Sequence, residues 1–216
     1  MNERREKLRA WFDEPGLYGI TDCEQSRGRT TIAVVEAMLS AGVKIIQYRD
    51  KSKETGEQLA DCLILRKLTR AAGALFIIDD HPDLALLVDA DGVHVGQQDY
   101  PPAAVRSLLG PDKFIGLSTH APEEAIAAQA NEDVDYIGVG PLFATQTKKN
   151  VCAPVGLAYL DFVQKNITLP FVAIGGVKEH NIGEVAAHGA KTIAVVSAIT
   201  GADDIGAAIN RLRACL

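Results

Sequence analysis

Residues 169–176 read Leu-Pro-Phe-Val-Ala-Ile-Gly-Gly, and further on the run Thr192-Ile193-Ala194-Val195-Val196 stops at Ser197. Each is a short apolar stretch opening into small residues, the pattern of a buried strand followed by a loop. In a closed barrel of alternating strands and helices, the loops after the last two strands form a phosphate cradle. Glycine there lets backbone N–H groups approach the oxygens, and a following helix presents its positive end. The pair Gly175-Gly176 together with Ser197 therefore predicts a barrel that handles a phosphorylated small molecule.

The rest of the chain repeats the same unit. Strands are predicted over 17–21, 43–48, 75–78, 92–95, 114–117, 136–139, 171–174 and 193–196. Helical patterns over 31–40, 56–72, 82–88, 102–109, 122–130, 157–165, 181–188 and 203–215 separate them. Several helices open on a proline or a capping residue, and several stop at glycine directly before a strand, as in Ala41-Gly42-Val43 and His188-Gly189-Ala190. Strands apolar on both faces belong to an all-parallel sheet covered by helices. The expected fold is α/β, a (β/α)8 TIM barrel in a single domain over 1–216, with 1–15 as an N-terminal extension. An open doubly wound sheet would instead call for a glycine-rich fingerprint after the first strand, where this chain has Thr21-Asp22-Cys23-Glu24.

Composition bounds the function. With 216 residues, 47% of them hydrophobic, the chain can fill one sizeable core. No apolar run reaches the roughly 18 residues of a membrane span, and the start, Met1-Asn2-Glu3-Arg4-Arg5-Glu6-Lys7, is charged with no apolar signal core behind it, so a cytoplasmic, membrane-free protein is expected. A net charge of −6 argues against nucleic acid as partner, and any bound anion needs a local positive site. Cys23, Cys62, Cys152 and Cys215 lie far apart without metal-knuckle spacing and read as incidental thiols. The oligomeric state stays open, a homo-oligomer included.

Barrel active sites sit at the C-terminal ends of the strands. After the second strand, alternation sends Gln47, Arg49 and Lys51 to one side, placing an amide and two cations on one face. Asp79-Asp80-His81 end the third strand, Gly96-Gln97-Gln98-Asp99 the fourth and Ser118-Thr119-His120 the fifth. The sixth runs into a loop rich in hydroxyls and positive charge, Thr145-Gln146-Thr147-Lys148-Lys149. Asp80 and Asp99, from adjacent strand ends, suit Mg2+, which takes one or two carboxylates plus water and phosphate oxygens. Arg49, Lys51 and Lys148 would neutralise further oxygens, and the set describes a clamp for a departing pyrophosphate.

Each element also has a plainer reading. A Gly-Gly after a strand also makes a tight turn, Asp79 could be a helix cap, and the loop lysines could be solvated charge. The five histidines lack metal-ligand spacing and read as structural. Among them His94, inside an apolar strand, is expected to be a hydrogen-bonded core residue, and His120 lies nearest the strand-end chemistry.

Taken in order, Leu17-Tyr18-Gly19-Ile20-Thr21-Asp22, Gln47-Tyr48-Arg49-Asp50-Lys51, the 90–99 stretch ending His94-Val95-Gly96-Gln97-Gln98-Asp99, Thr145-Gln146-Thr147-Lys148 and Ala173-Ile174-Gly175-Gly176-Val177 resemble the thiamine-phosphate synthase family from about residue 17 onward. The resemblance implies a Mg2+-dependent transferase. It would join 4-amino-2-methyl-5-hydroxymethylpyrimidine diphosphate to 4-methyl-5-(2-phosphoethyl)thiazole, giving thiamine phosphate and pyrophosphate. It further implies that Gln47, Arg49 and Lys51 contact the pyrimidine diphosphate, that Asp80 and Asp99 hold the metal, and that Ser118 and Lys148 border the pyrophosphate. Thr145, Thr147, Gly176, Val196 and Ser197 would bind the thiazole phosphate, with Arg49, Lys51, Ser118 and Lys148 serving the chemistry.

Two positions depart from the family pattern. Asp79, among the expected substrate-binding residues, replaces the usual Asn and puts an extra carboxylate near the pyrophosphate that metal or lysine must compensate, and Ala144 replaces the usual proline before the Thr-x-Thr-Lys loop. The rival readings are a thiazole tautomerase on the same barrel, which typically lacks the paired metal carboxylates, and a phosphate-binding module without catalysis. Asp80 with Asp99 argues against the first, and Arg49, Lys51 and Lys148 around a second anion site argue against the other.

Overall fold

A computed structural model describes residues 3–145, 147 and 152–216. Eight parallel strands, β1 (Gly16–Ile20), β2 (Ile45–Tyr48), β3 (Leu75–Asp79), β4 (Gly92–Val95), β5 (Phe114–Thr119), β6 (Tyr136–Val139), β7 (Phe171–Ala173) and β8 (Thr192–Val195), pair in chain order and close through β1 on β8. The helices are α1 (Glu3–Phe12), α2 (Thr31–Ser40), α3 (Thr55–Ala71), α4 (Pro82–Leu87), α5 (Pro102–Leu109), α6 (Pro122–Ala130), α7 (Gly156–Asn166), α8 (Ile182–Ala187), α9 (Ser197–Thr200) and α10 (Ile205–Ala214). The expected barrel is present, and the strand predictions hold to within a residue or two at each end. Among the described residues no helix is long and apolar enough to cross a membrane.

The strands are apolar throughout because the two faces bury into different cores. Leu17, Ile46, Phe76, Ile78, Val93, Ile115, Ile137 and Ile193 point outward and pack under the helices. Tyr18, Ile20, Ile45, Leu75, Ile77, Phe114, Tyr136, Val172 and Ala194 fill the barrel itself.

The extension expected over 1–15 is largely the helix α1, and it belongs to that inner core. Leu8 is fully buried and Phe12 nearly so, both among the barrel-filling side chains, with the Phe12 ring 5.1 Å from that of Tyr136. Polar contacts seat the helix across the N-terminal mouth. Arg4 Nε donates to Asp135 Oδ1 at 2.9 Å, Arg5 to the carbonyls of Asn131 and Val134, and Arg9 to the carbonyl of Thr168. Asp135 is itself buried and also accepts from Arg106 and from the Ile115 amide, so the ion pairs under α1 are fully bonded at the carboxylate. The barrel is therefore stoppered at one end and open at the other, where the strand-end loops lie.

Candidate active site

At the open end, the loop after β1 and the ends of β2 and β3 build one charged cluster. Thr21 and Arg49 exchange hydrogen bonds, the Arg49 amide donating to Thr21 Oγ1 at 2.9 Å and that hydroxyl donating to the Arg49 carbonyl at 3.0 Å. The guanidinium is thereby carried toward Asp22, 3.0 Å away, and Asp79, 3.6 Å away. Lys51 reaches across from β2 and lies 3.2 Å from Asp79 and 2.6 Å from Asp80. Arg49 and Lys51 share this face, as alternation predicts. Gln47, one turn of the pleat deeper, is buried and points into the barrel. Asp22 is a charged neighbour of Arg49 that the sequence reading missed, since an Asp in a loop carries no signal of its partner.

Two carboxylates thus compete for one ammonium, with Asp80 held in a left-handed backbone conformation at φ +59°. Burial and the neighbouring Asp80 charge push the Asp79 carboxyl up to about 6, against the pull of Lys51 and Arg49. Burial alone would lower the Lys51 ammonium, but Asp79 and Asp80 prevail and hold it above its ordinary value. Because the folded-state Asp79 value lies above that of the unfolded chain, folding is favoured while Asp79 is protonated. That advantage is complete below about pH 4 and is lost as the pH rises through about 6. In the metal-free protein with EDTA, Asp79→Asn should accordingly stabilise by about 1–3 kcal/mol at pH 8, with the gap closing toward pH 4. Urea unfolding of both proteins at the two pH values checks this; a wild type more stable than the variant at pH 8 would make Asp79 a favourable ion-pair partner instead.

Around the rim, the Asp99 Oδ2 atom accepts from the Gly96 amide at 2.7 Å, which folds the carboxylate back over the start of its own loop. Gln97 donates to the Ser118 carbonyl at 2.8 Å, tying the β4 loop to β5. His94 is the hydrogen-bonded core residue expected: its Nε2 lies 3.0 Å from Ser118 Oγ and its Nδ1 3.1 Å from the Tyr136 hydroxyl. Glycines make the room for it. A Cβ at Gly116 would lie 2.2 Å from Tyr136 Cζ and 2.4 Å from His94 Nδ1, so β5 is bare where these two rings meet. His120 ties β5 to the loop after β6, with Nδ1 against the Gly140 carbonyl and its amide donating to Glu124.

The loops after β7 and β8 form the opposite side. Gly175 and Gly176 take φ of +103° and +66°. A Cβ on Gly175 would sit 2.4 Å from Pro141 Cα, and one on Gly176 2.6 Å from the Ala144 carbonyl oxygen. The two glycines therefore let the β7 loop press against the loop that follows β6. Val196 caps the short helix α9, Ser197 is its first residue, and Lys178 Nζ donates to Ser197 Oγ at 3.3 Å. Asn181 fixes the turn, accepting from the Lys178 amide and donating to the Gly176 carbonyl. Lys178 and Asn181 are neighbours of this corner that sequence reasoning passed over, although Gly-Gly-Val-Lys places the lysine only two residues beyond the pair. Thr145 Oγ1 accepts from the Thr147 amide at 3.3 Å and donates to its hydroxyl at 3.2 Å, a local turn that orients both hydroxyls. Lys148, assigned to the pyrophosphate, lies outside the described residues.

A barrel whose strand-end rim carries an Arg–Lys–carboxylate cluster on one side and a Gly-Gly/Ser197/Lys178 corner on the other is a TIM-barrel enzyme of the phosphate-handling kind. The family model described as thiamine monophosphate synthase matches residues 17–199, and the chain belongs to that family, whose curated members are transferases that bear the name thiamine-phosphate synthase. The chain is 59% identical to the thiamine-phosphate synthase of Pelotomaculum thermopropionicum over 94% of this chain and 93% of that protein. It is 53% identical to the Lawsonia intracellularis protein of the same name, over 91% and 90%. Among solved structures it resembles thiamine phosphate pyrophosphorylase from Pyrococcus furiosus, with a TM-score of 0.85 and 36% identity over 98% of this chain and 96% of that one. The tautomerase and the binding-module readings are not favoured.

Proposed function

We propose that the barrel joins 4-amino-2-methyl-5-hydroxymethylpyrimidine diphosphate to 4-methyl-5-(2-phosphoethyl)thiazole by a dissociative substitution, with the two anionic substrates held on opposite sides of the rim. The observation that carries this reading is the pair of separate corners that each offer cationic donors, Arg49 with Lys51 among the carboxylates and Lys178 beside Ser197. The aminopyrimidine ring can release its diphosphate because the ring amino group feeds electrons to the methylene carbon. The protein then has to stabilise departing charge and keep the thiazole nitrogen within reach. Arg49, Lys51, Ser118 and, on the loop, Lys148 would take the diphosphate oxygens, and no side chain need act as nucleophile. Gln47 would face the ring amino group, and Thr145, Thr147, Gly176, Val196 and Ser197 would hold the thiazole phosphate.

The donor set fits Mg2+. Asp79 and Asp80 crowd one lysine, with the Asp79 carboxyl held unusually high, so a further cation at Asp80 would relieve a carboxylate excess that the structure carries. Asp99, on the neighbouring strand end, would supply the second carboxylate, and substrate phosphate and water would complete the shell. When bound, the ion would supply the charge neutralisation that makes the diphosphate a better leaving group. Asp79 would contact substrate only when protonated or shielded by Lys51.

Incubating the pure protein with both substrates, with and without Mg2+, should give thiamine phosphate only with the metal. The absence of both product and pyrophosphate release with the metal present would overturn the reading. Ser197→Ala should weaken thiazole phosphate about 5- to 30-fold, the cost of about one or two kcal/mol of hydrogen bonding to a charged group, and leave pyrimidine diphosphate affinity unchanged in calorimetric titrations of each alone. Gly176→Val is the blunter probe. Its side chain collides with Ala144 and Phe143, so it should displace the loop bearing Thr145 and Thr147 and impair both ligands.

A further inference from the structure

Beneath the rim, five side chains from five strands or strand ends form an unbroken hydrogen-bond chain across the barrel. Gln47 Nε2 lies 3.0 Å from the Tyr18 hydroxyl, Tyr18 3.2 Å from the Tyr136 hydroxyl, Tyr136 3.1 Å from His94 Nδ1, and His94 Nε2 3.0 Å from Ser118 Oγ. Its interior members are buried, and burial holds both tyrosine hydroxyls far above their ordinary range, so each keeps its proton. A neutral imidazole has one N–H, and each phenol has one O–H. With His94 neutral, the links of this chain can be filled in two concerted ways.

In the first, donation runs from Gln47 through Tyr18, Tyr136 and His94 to Ser118. The Gln47 Oε1 atom, bonded to no described residue, is then left as an acceptor, and the Ser118 hydroxyl is free to donate outward. In the second every proton reverses: Ser118 donates into the chain and the Gln47 amide nitrogen faces the pocket. Intermediate arrangements leave two donors or two acceptors opposed inside the barrel, at the cost of an unsatisfied buried polar group. The two ends are thus locked to one another.

We propose that this chain couples recognition of the pyrimidine ring at Gln47 to recognition of the diphosphate at Ser118, with Tyr18, Tyr136 and His94 as positioning residues. The inference rests on the substrate assignment given above. A ligand that offers a donor at the ring end, as an amino group does, and an acceptor at the diphosphate end selects the first arrangement at both ends together. A ring carrying an acceptor there opposes its own diphosphate. The bare glycines keep the chain in place, since a methyl group at Gly116 would overlap both Tyr136 and His94.

The sign of the coupling follows from the protons. Ser118→Ala removes the acceptor that His94 Nε2 donates to, so the chain reverses and presents the Gln47 amide nitrogen to the ring amino group. One substitution then damages both ends. In a Gln47→Leu background the ring contact is already gone, and Ser118→Ala should cost less. Calorimetric affinities for the pyrimidine diphosphate in the wild type, the two single variants and the double variant should be sub-additive by roughly fivefold or more, the range of an ordinary coupling between sites. The same cycle in a Tyr136→Phe background, and again in Tyr18→Phe, should be additive, because either phenylalanine cuts the chain while keeping the ring. Thermal melts establish that each protein is folded, and the second cut serves if the first is not.

Additivity in the wild type, or sub-additivity of the same size in both cut backgrounds, would overturn the proposal. Failure of the wild type to bind the pyrimidine diphosphate, with inorganic pyrophosphate bound normally, would instead overturn the substrate assignment beneath it.

Discussion

Asp99→Asn is expected to lower turnover by two orders of magnitude or more at saturating substrates while leaving the melting temperature within a few degrees of wild type. The substitution keeps an oxygen able to accept from the Gly96 amide, the contact that shapes the β4 loop, so the loop has reason to hold its course. What it removes is a formal negative charge at the rim. If that charge holds Mg2+ against the leaving diphosphate, its loss takes several kcal/mol of transition-state stabilisation with it, and each 1.36 kcal/mol is about a tenfold change in rate. Steady-state rates across a Mg2+ titration separate two cases. Activity that recovers at high Mg2+ places Asp99 in metal affinity, and activity that stays low places it in the orientation of bound metal. Wild-type turnover at limiting Mg2+ would remove Asp99 from the metal site.

The other large effect is expected at the opposite end of the molecule. Phe12→Ala should destabilise the fold by about 3–5 kcal/mol, since it deletes a buried ring from the barrel-filling core and leaves a cavity against Tyr136 that the rigid barrel wall cannot close. Urea unfolding at neutral pH reads this directly. Substrate affinities measured well below the unfolding transition should change little, because the rim lies at the far ends of the strands. A loss below about 1 kcal/mol would mean that α1 only lies on the barrel and contributes little to its core.

The barrel was legible in the sequence because βα units leave two marks that need no partner: apolar stretches of strand length, and glycine or proline punctuation between them. The motif loops were legible for the same reason, each being contiguous. The structure brings Arg49, Lys51, Asp79 and Asp80 together on the β2–β3 side. What stayed hidden depends on contacts between distant segments. Tyr18 and Tyr136 read as ordinary strand residues until barrel closure sets their hydroxyls 3.2 Å apart. Asp22 gains its meaning only from Arg49, and Lys178 only from Ser197. The N-terminal fifteen residues look polar because the three arginines of α1 that bond the N-terminal mouth of the barrel outnumber the two large apolar side chains it buries. Gly175-Gly176 was read as an approach to phosphate, and the geometry adds a second reason for glycine there, the close passage of the Pro141–Ala144 backbone.

The seating of α1 also constrains the order in which the chain can assemble as it is made. Its first residues leave the ribosome first, yet Arg9 bonds the carbonyl of Thr168, 159 residues later, and the Phe12 carbonyl accepts from Thr192, 180 residues later. A nascent chain that has extruded only half its length offers α1 no complete socket. Leu8 and Phe12 remain exposed until β7 and β8 arrive, a long-range closure that is slow and open to misassociation. The complete seat of α1 therefore requires β7 and β8, so that full protection of Leu8 and Phe12 from solvent is expected only of a closed barrel.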